Sequence, residues 1–240
     1  MRRSTPPLLS ELHAHTTWSD GALSVGELVD LYGRAGFDVL AVTDHVVRPG
    51  ETQTGAVRAG TYNRYLDELE AEGERALACY GLLVVPGLEL TYDDPDPRLG
   101  AHVLALGVRR FMGLERGLEA ALAEAADAGA ALVAAHPYTL AGVESSHRTT
   151  ARFAEEPEWA ARVVHRFELC NRHDFFEWVA RAQLPAVANG DFHRREHLAT
   201  WKTLLPAEQT EAAVLAYLRS RDPVALTLFR PPEEAIRRAA

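Results

Sequence analysis

Cysteine is scarce: the 240-residue chain has two, Cys79 and Cys170. They sit in the apolar contexts LACYG and FELCN without a C-x-x-C spacing. That argues against a thiolate zinc site or a disulfide framework, and buried free thiols are the expectation. No apolar run approaches the length of a membrane-spanning helix. Positive charge is also short. Lys and Arg number 25 against 34 Asp and Glu, a formal net charge of −9, which argues against a general binder of nucleic acid or anionic membrane. An anionic substrate stays open, because bound cations can dominate the field of a site. The N-terminal MRRSTPPLLS lacks an apolar core, so no signal peptide is expected and a cytoplasmic location follows. No Ser/Gly/Pro-rich linker divides the chain, and its length suits one domain over residues 1–240.

What is present is alternation. SELHAH leads to Ser24-Val25-Gly26-Glu27, a capping-box pattern, then a helix carrying Leu28, Leu31 and Tyr32 on one stripe to about Gly36. DVLAVTDH reads as a strand, followed by a charged helix over about 62–78 and then by LLVVPGLEL and AHVLALGV. A helix in LERGLEAALAEAADAGA, the strand ALVAAHP, helices around Trp159 and Trp178, and the strands RFELCN and PAVANGDFH continue the series. KTLL, a helix at about 209–219 and PVALTLF end it. About seven such units with near-continuous apolar strands predict an α/β chain, a barrel rather than an open sheet. The least regular segments, 46–60 and 138–153, follow strands directly, where loops carry function.

The strand ends hold metal-capable side chains. In LHAHTTWSDG, His13 and His15 are two apart on an expected strand and so share a face. Histidine pairs with a carboxylate such as Asp20 suit a divalent transition metal. Asp44-His45, Glu89, His136, Glu168, Asp191 and His193 fall at later strand ends. His102 begins its strand, and it reaches the same rim only if that strand runs antiparallel or the residue lies in a loop. Six of the ten histidines thus fall at strand ends. Such groups are costly to bury unless paired or bound to metal, so a multinuclear metal site is the expectation.

HAHTTWSDG, TDH, the Glu of PGLEL, the His of HVLALG, AHP and GDFH occur in the order of the motifs of the PHP (polymerase and histidinol phosphatase) superfamily, which the chain resembles over about residues 10–195. The resemblance implies a distorted (β/α)7 TIM-like barrel and two or three divalent ions, Mn, Fe or Zn. One ion would be held by His13, His15, Glu89 and Asp191. A second would share Glu89 and add His102 and His136, and a third would take Asp20, His45 and His193. Family members often have a small residue where Phe192 stands, so Phe192 is expected to narrow the pocket. Glu168 and Asn171 match an E-x-x-N element with a supporting or substrate-facing role.

The implied activity is hydrolysis of small phosphomonoesters, such as a nucleotide or a sugar or amino-alcohol phosphate, by metal-activated water. His193, His45 or a water on the third ion would protonate the leaving oxygen. Phosphate would meet a cation, and Arg48, Arg148, Arg172 and Arg194 all follow strand ends, with Asn171-Arg172 the first choice. A carbamate or ester hydrolase on the same metals is the alternative, since TWKTLLPAEQTEAAVLAYLRS loosely resembles PHP-type proteins of that kind. It would need an apolar pocket at Phe192 and Trp201. An exonuclease acting on short oligonucleotides also stays open, although the acidic charge counts against it.

Overall fold

The computed structural model describes residues 6–48, 50, 55–140 and 150–231. Arg148 and residues 49, 51–54 and 141–149 of the two irregular segments lie outside them. The chain runs β1 (Leu8–Glu11), α1 (Val25–Arg34), β2 (Val39–Val42), β3 (His45–Val47), α2 (Tyr62–Tyr80), β4 (Leu83–Tyr92), β5 (Ala101–Leu106), α3 (Leu118–Asp127) and β6 (Ala131–Ala134). It continues with α4 (Arg152–Glu155), α5 (Pro157–Val163), β7 (Arg166–Asn171), β8 (Asp174–Phe175), α6 (Glu177–Arg181), β9 (Ala186–Asn189), β10 (Trp201–Leu205), α7 (Glu211–Ser220) and β11 (Ala225–Leu228), with a 3-10 helix at Arg195–Leu198 before β10. The capping box at Ser24 forms in both directions: Ser24 accepts from Glu27 N and Glu27 from Ser24 N. No helix among the described residues is long and apolar enough to cross a membrane.

The strands form one curled sheet in the order β11-β10-β1-β2-β4-β5-β6-β7-β8, with β3 beside β4 and β9 beside β7. β1, β2 and β4 are parallel, as are β6, β7 and β9. β5 runs antiparallel to both β4 and β6. The reason is connection length: only residues 93–100 join β4 to β5, too few for the crossover that parallel neighbours need. This reversal brings His102 to the rim shared by the other strand ends. The run DVLAVTDH is two strands rather than one, broken at Thr43-Asp44, so β4 pairs with β2 up to Pro86 and with β3 from Glu89 onward.

The curl brings the last parallel strand back to the first. The Thr203 hydroxyl accepts from Ala188 N (2.9 Å) and donates to Ala188 O (2.8 Å), joining β10 to β9 through a side chain. Beyond the strands, Phe192 N donates to His13 O and His15 N donates to Phe192 O.

Period-2 alternation sorts the strands between two cores. Leu40 and Val42 face the helices, with Leu28, Tyr32, Tyr65 and Leu69. Val39, Ala41, Val85, Leu104 and Val133 face inward, where Val214, Leu215 and Leu218 of α7 join them. Cys170 is buried as expected. Cys79 is exposed instead, because it lies on the solvated side of the last turn of α2.

Candidate metal centre

β1 runs straight into the bend that carries His13 and His15, both fully buried. The backbone exchange with Phe192 places Asp191 and His193 on either side of it. The Thr16–Asp20 turn is shaped by Asp44, whose carboxylate accepts from Thr16 N (2.8 Å), Thr16 Oγ1 (2.8 Å) and Ser19 Oγ (2.5 Å). Gly21 closes this turn against the His15 backbone, where a Cβ would meet His15 C and O and Thr16 N at under 3 Å. Three site residues hold left-handed backbone, His136 (φ 28°), Arg172 (φ 51°) and Asp191 (φ 44°). Such strain in non-glycine residues costs on the order of 1–3 kcal/mol each and concentrates at functional sites.

The nine expected ligands meet in one cluster. Glu89, fully buried, is its centre. Its Oε2 lies 3.0 Å from His13 Nε2, 3.2 Å from His15 Nε2 and 3.2 Å from His45 Nδ1. Its Oε1 lies 2.9 Å from His102 Nδ1 and 3.3 Å from His136 Nε2. Asp191 Oδ1 is 3.4 Å from both His13 Nε2 and His15 Nε2 and 3.3 Å from His193 Nδ1. Asp20 Oδ1 is 3.2 Å from His193 Nε2 and 3.5 Å from His45 Nε2. Three subsets offer ligand atoms close enough to share an ion: His13, Glu89 and His136; His13, His15 and Asp191; and His15, Asp20, His45 and His193. His15 therefore faces two of the three groups, and His102 stands outside these subsets, between Glu89 and Asp93.

The donor set fits divalent cations. His15 Nε2 is buried and makes no hydrogen bond, although two carboxylate oxygens face it. Such an atom is costly to leave without a partner, and a cation among these oxygens would supply one.

Electrostatics point the same way. Burial alone would raise Glu89 and Asp191, but the neighbouring imidazoles outweigh it and hold both carboxyls well below their usual range. Burial pushes His45 down to about 3. It also opposes protonation of His193 and His102, yet hydrogen bonds to Asp191 and Asp20 lift His193 to about 10, and bonds to Asp93 and Glu89 lift His102 to about 9. Without metal, His13, His102 and His193 favour imidazolium–carboxylate pairs within the cluster.

A second tier fixes these groups. Glu168 accepts from four donors: His13 Nδ1 (2.9 Å), His136 N (2.6 Å), Asn171 Nδ2 (2.7 Å) and Asn189 Nδ2 (2.8 Å). A carboxylate behind a ligating histidine fixes its tautomer and raises its basicity. Asn171 is thus committed to Glu168. The arginines divide. Arg172 Nη2 lies 3.0 Å from Asp191 Oδ2, its Nε donates to Asp191 O (3.2 Å), and its side chain stays partly open to solvent at the cluster. Arg48 binds Asp93 O (2.7 Å) and Asp94 Oδ2 (3.1 Å) over the Tyr92 ring. Arg194 is exposed and paired with Glu196. Phe192 does not narrow the site: alternation turns its ring into the core, against Tyr32 and His197.

Sequence reasoning missed the pair beneath the cluster. Lys202 Nζ and Glu11 Oε2, both fully buried, lie 2.6 Å apart. Glu11 also accepts from Gly190 N (2.9 Å), His13 N (3.2 Å) and Tyr32 OH (3.1 Å). It therefore ties the His13 strand to the Asp191 turn.

The model of the PHP domain family matches residues 11–174. The chain belongs to the PHP domain family. The matched span holds seven of the nine clustered residues, and Asp191 and His193 reach it from outside through the Phe192 backbone bonds. Among proteins, the PHP chain is 37% identical over 90 residues to the DNA polymerase/3'-5' exonuclease PolX of Bacillus subtilis (strain 168). That match covers 35% of this chain and only 15% of the relative's length. Among solved structures, it resembles a two-domain protein of Bacteroides vulgatus ATCC 8482 containing a predicted PHP-like metal-dependent phosphoesterase, with TM-score 0.67 and 20% identity over 99% of this chain and 73% of that one. A candidate metal-dependent phosphoesterase of Bifidobacterium adolescentis ATCC 15703 aligns with TM-score 0.50 and 16% identity over 98% of this chain and 96% of that one. At these identities the likeness concerns the fold.

Proposed function

We propose that this PHP chain is a metal-dependent phosphoesterase acting on small phosphomonoesters, with two or three ions of Mn, Fe or Zn held at the rim of a distorted (β/α)7 barrel. The observation that carries the reading is the buried convergence of His13, His15, Glu89 and Asp191 with an unpartnered His15 Nε2 at its centre. His13, His15, Glu89 and Asp191 would hold one ion, Glu89, His102 and His136 a second, and Asp20, His45 and His193 a third. Bound there, such ions activate water as a nucleophile and neutralise phosphoryl charge.

The chain supplies the rest. Glu168 holds His13 and the His136 backbone in place. The Arg172 guanidinium braces Asp191 and presents its open side to the cluster, where it suits contact with a phosphoryl oxygen. His193, on the solvent side and beside Arg172, is better placed than the buried His45 to pass a proton to a leaving alcohol. If one His193 ring nitrogen held the third ion, the other would be the one to carry the proton.

The partial identity to a 3'-5' exonuclease favours a second reading, an exonuclease on short oligonucleotides. The same metal-supplemented protein should be assayed on p-nitrophenyl phosphate, a nucleotide panel, bis-p-nitrophenyl phosphate and a short single-stranded oligonucleotide. Release from monoesters, lost in His13→Ala, supports the proposal. Cleavage confined to the diester and oligonucleotide supports the second reading. Cleavage of carboxyl or carbamate esters alone overturns both.

A further inference from the structure

Both ring nitrogens of His102 meet carboxylates, one inside the cluster and one outside it. Nδ1 is 2.9 Å from Glu89 Oε1, inside the cluster, and Nε2 is 2.9 Å from Asp93 Oδ1, outside it. The ring is buried, while the Asp93 side chain is 39% exposed at the lip. Asp93 is itself fixed. It follows directly on β4, its carbonyl accepts from Arg48 Nη1, and the same Arg48 nitrogen reaches Asp94 Oδ2 while the guanidinium lies 4.6 Å from the centroid of the Tyr92 ring. Arg48 stands directly after β3, the strand that carries His45 and pairs with the Glu89 segment of β4. The β4–β5 turn is therefore anchored to the strand next to the cluster.

We infer that Asp93 is a positioning residue: it holds the His102 Nε2–H outward, so that Nδ1 offers its lone pair to an ion shared with Glu89. The chemistry follows from the two partners. A ring donating Nε2–H to a carboxylate is locked in one tautomer and one rotation, and the carboxylate raises the basicity of the opposite nitrogen. Glu168 does the same for His13 from the other side of the cluster, where its carboxylate meets Nδ1 and the inward nitrogen is Nε2. The two histidines thus turn opposite nitrogens inward. Arg48 acts here through the Asp93 backbone.

This inference rests on the reading of His102 as a metal ligand, and the test separates the two. The full chain is loaded with zinc, and its histidine tautomers are read by long-range 1H–15N correlation, with His102 identified by its loss in His102→Gln. Zinc affinities are measured in parallel by chelator competition for the wild type, His102→Gln, Asp93→Ala, Asp93→Asn and Asp96→Asn. Asp96 pairs with Arg98 in the same turn and serves as the control. The expected spectrum has the His102 proton on Nε2 and zinc on Nδ1. Asp93→Ala should weaken one ion about tenfold to a hundredfold, Asp93→Asn less because its amide oxygen still accepts the same hydrogen bond, and Asp96→Asn should leave every ion within about twofold of the wild type. A His102 proton on Nδ1, or wild-type affinity for every ion in Asp93→Ala while His102→Gln loses one, overturns the inference and leaves the metal reading standing. Retention of every ion by His102→Gln overturns the ligand assignment and the inference with it.

Discussion

Replacing Lys202 by Met is the sharpest test of how the centre is supported. Lys202 Nζ donates to Glu11 Oε2 (2.6 Å), Thr200 Oγ1 (2.7 Å) and His197 O (3.3 Å), with no exposure of either charged side chain. Methionine has a similar length and lacks the charge, so the change leaves Glu11 as a buried carboxylate facing only neutral donors. Removing one partner of a buried pair costs about 3–5 kcal/mol. Here Gly190 N, His13 N and Tyr32 OH still donate to Glu11, which places the loss near the lower end, about 3 kcal/mol. For a chain of this size that is a fall of about 6–12 °C in Tm. The assay is urea unfolding of the metal-free protein, followed by a shift in midpoint at constant slope. Glu11→Gln in the Lys202→Met background keeps an acceptor for Gly190 N–H and removes the charge, so it should recover at least half of the loss. Glu11→Leu in that background orphans the Gly190 and His13 amides and should recover little. A loss below about 1 kcal/mol in Lys202→Met would refute the reasoning, because the pair would then not be compensating a desolvated charge.

Four further outcomes follow from the same geometry. Gly190→Ala would drive a Cβ to within 3 Å of Lys202 Nζ, Glu11 Oε2 and His197 O; it should cost at least about 1–3 kcal/mol in thermal unfolding and weaken metal retention through Asp191. Arg172→Ala should lower kcat/KM on phosphate monoesters about tenfold to a hundredfold, the worth of a charge-assisted hydrogen bond, with Arg172→Lys intermediate; an unchanged value would remove Arg172 from substrate binding. His193 and His102, lifted to about 10 and about 9 in the metal-free chain, hold protons at pH 7 that an ion must displace. Metal affinity should therefore rise from pH 6 to 8 with proton release detectable by calorimetry in buffers of different ionisation enthalpy. The sign for metal-free stability is opposite: because both folded values lie above the unfolded one, their contribution is full below about 6.5 and lost as pH rises through about 9 and 10, so thermal unfolding of chelated protein should drop across that window.

Much of this was legible from periodicity. Strand alternation put His13 with His15 and Asp191 with His193, and the capping box at Ser24 marked α1. Direction was less legible than position. Arg48, Arg172 and Arg194 all follow strand ends, yet only Arg172 turns toward the cluster, because the left-handed backbone at Arg172 and Asp191 aims the two side chains at each other. His102 looked misplaced until the short β4–β5 connection reversed β5. Phe192 occupies the alternate position between two inward-facing residues, so its bulk goes to the core. The support groups left no local trace. Lys202 meets Glu11 across 191 residues, and Asp93 sits in TYDDPDP, a run that reads as solvated loop. Their roles exist only once the curl of the sheet brings distant segments together.

A histidine–carboxylate cluster built to hold divalent metal should keep that metal through purification. The most direct measurement is elemental analysis of Mn, Fe and Zn per chain in protein purified without added metal, alongside His13→Ala purified the same way. The account predicts two to three ions per wild-type chain and a clear loss in His13→Ala. Folded wild-type protein that retains no stoichiometric metal, and takes up none on incubation with Mn, Fe or Zn, would contradict it.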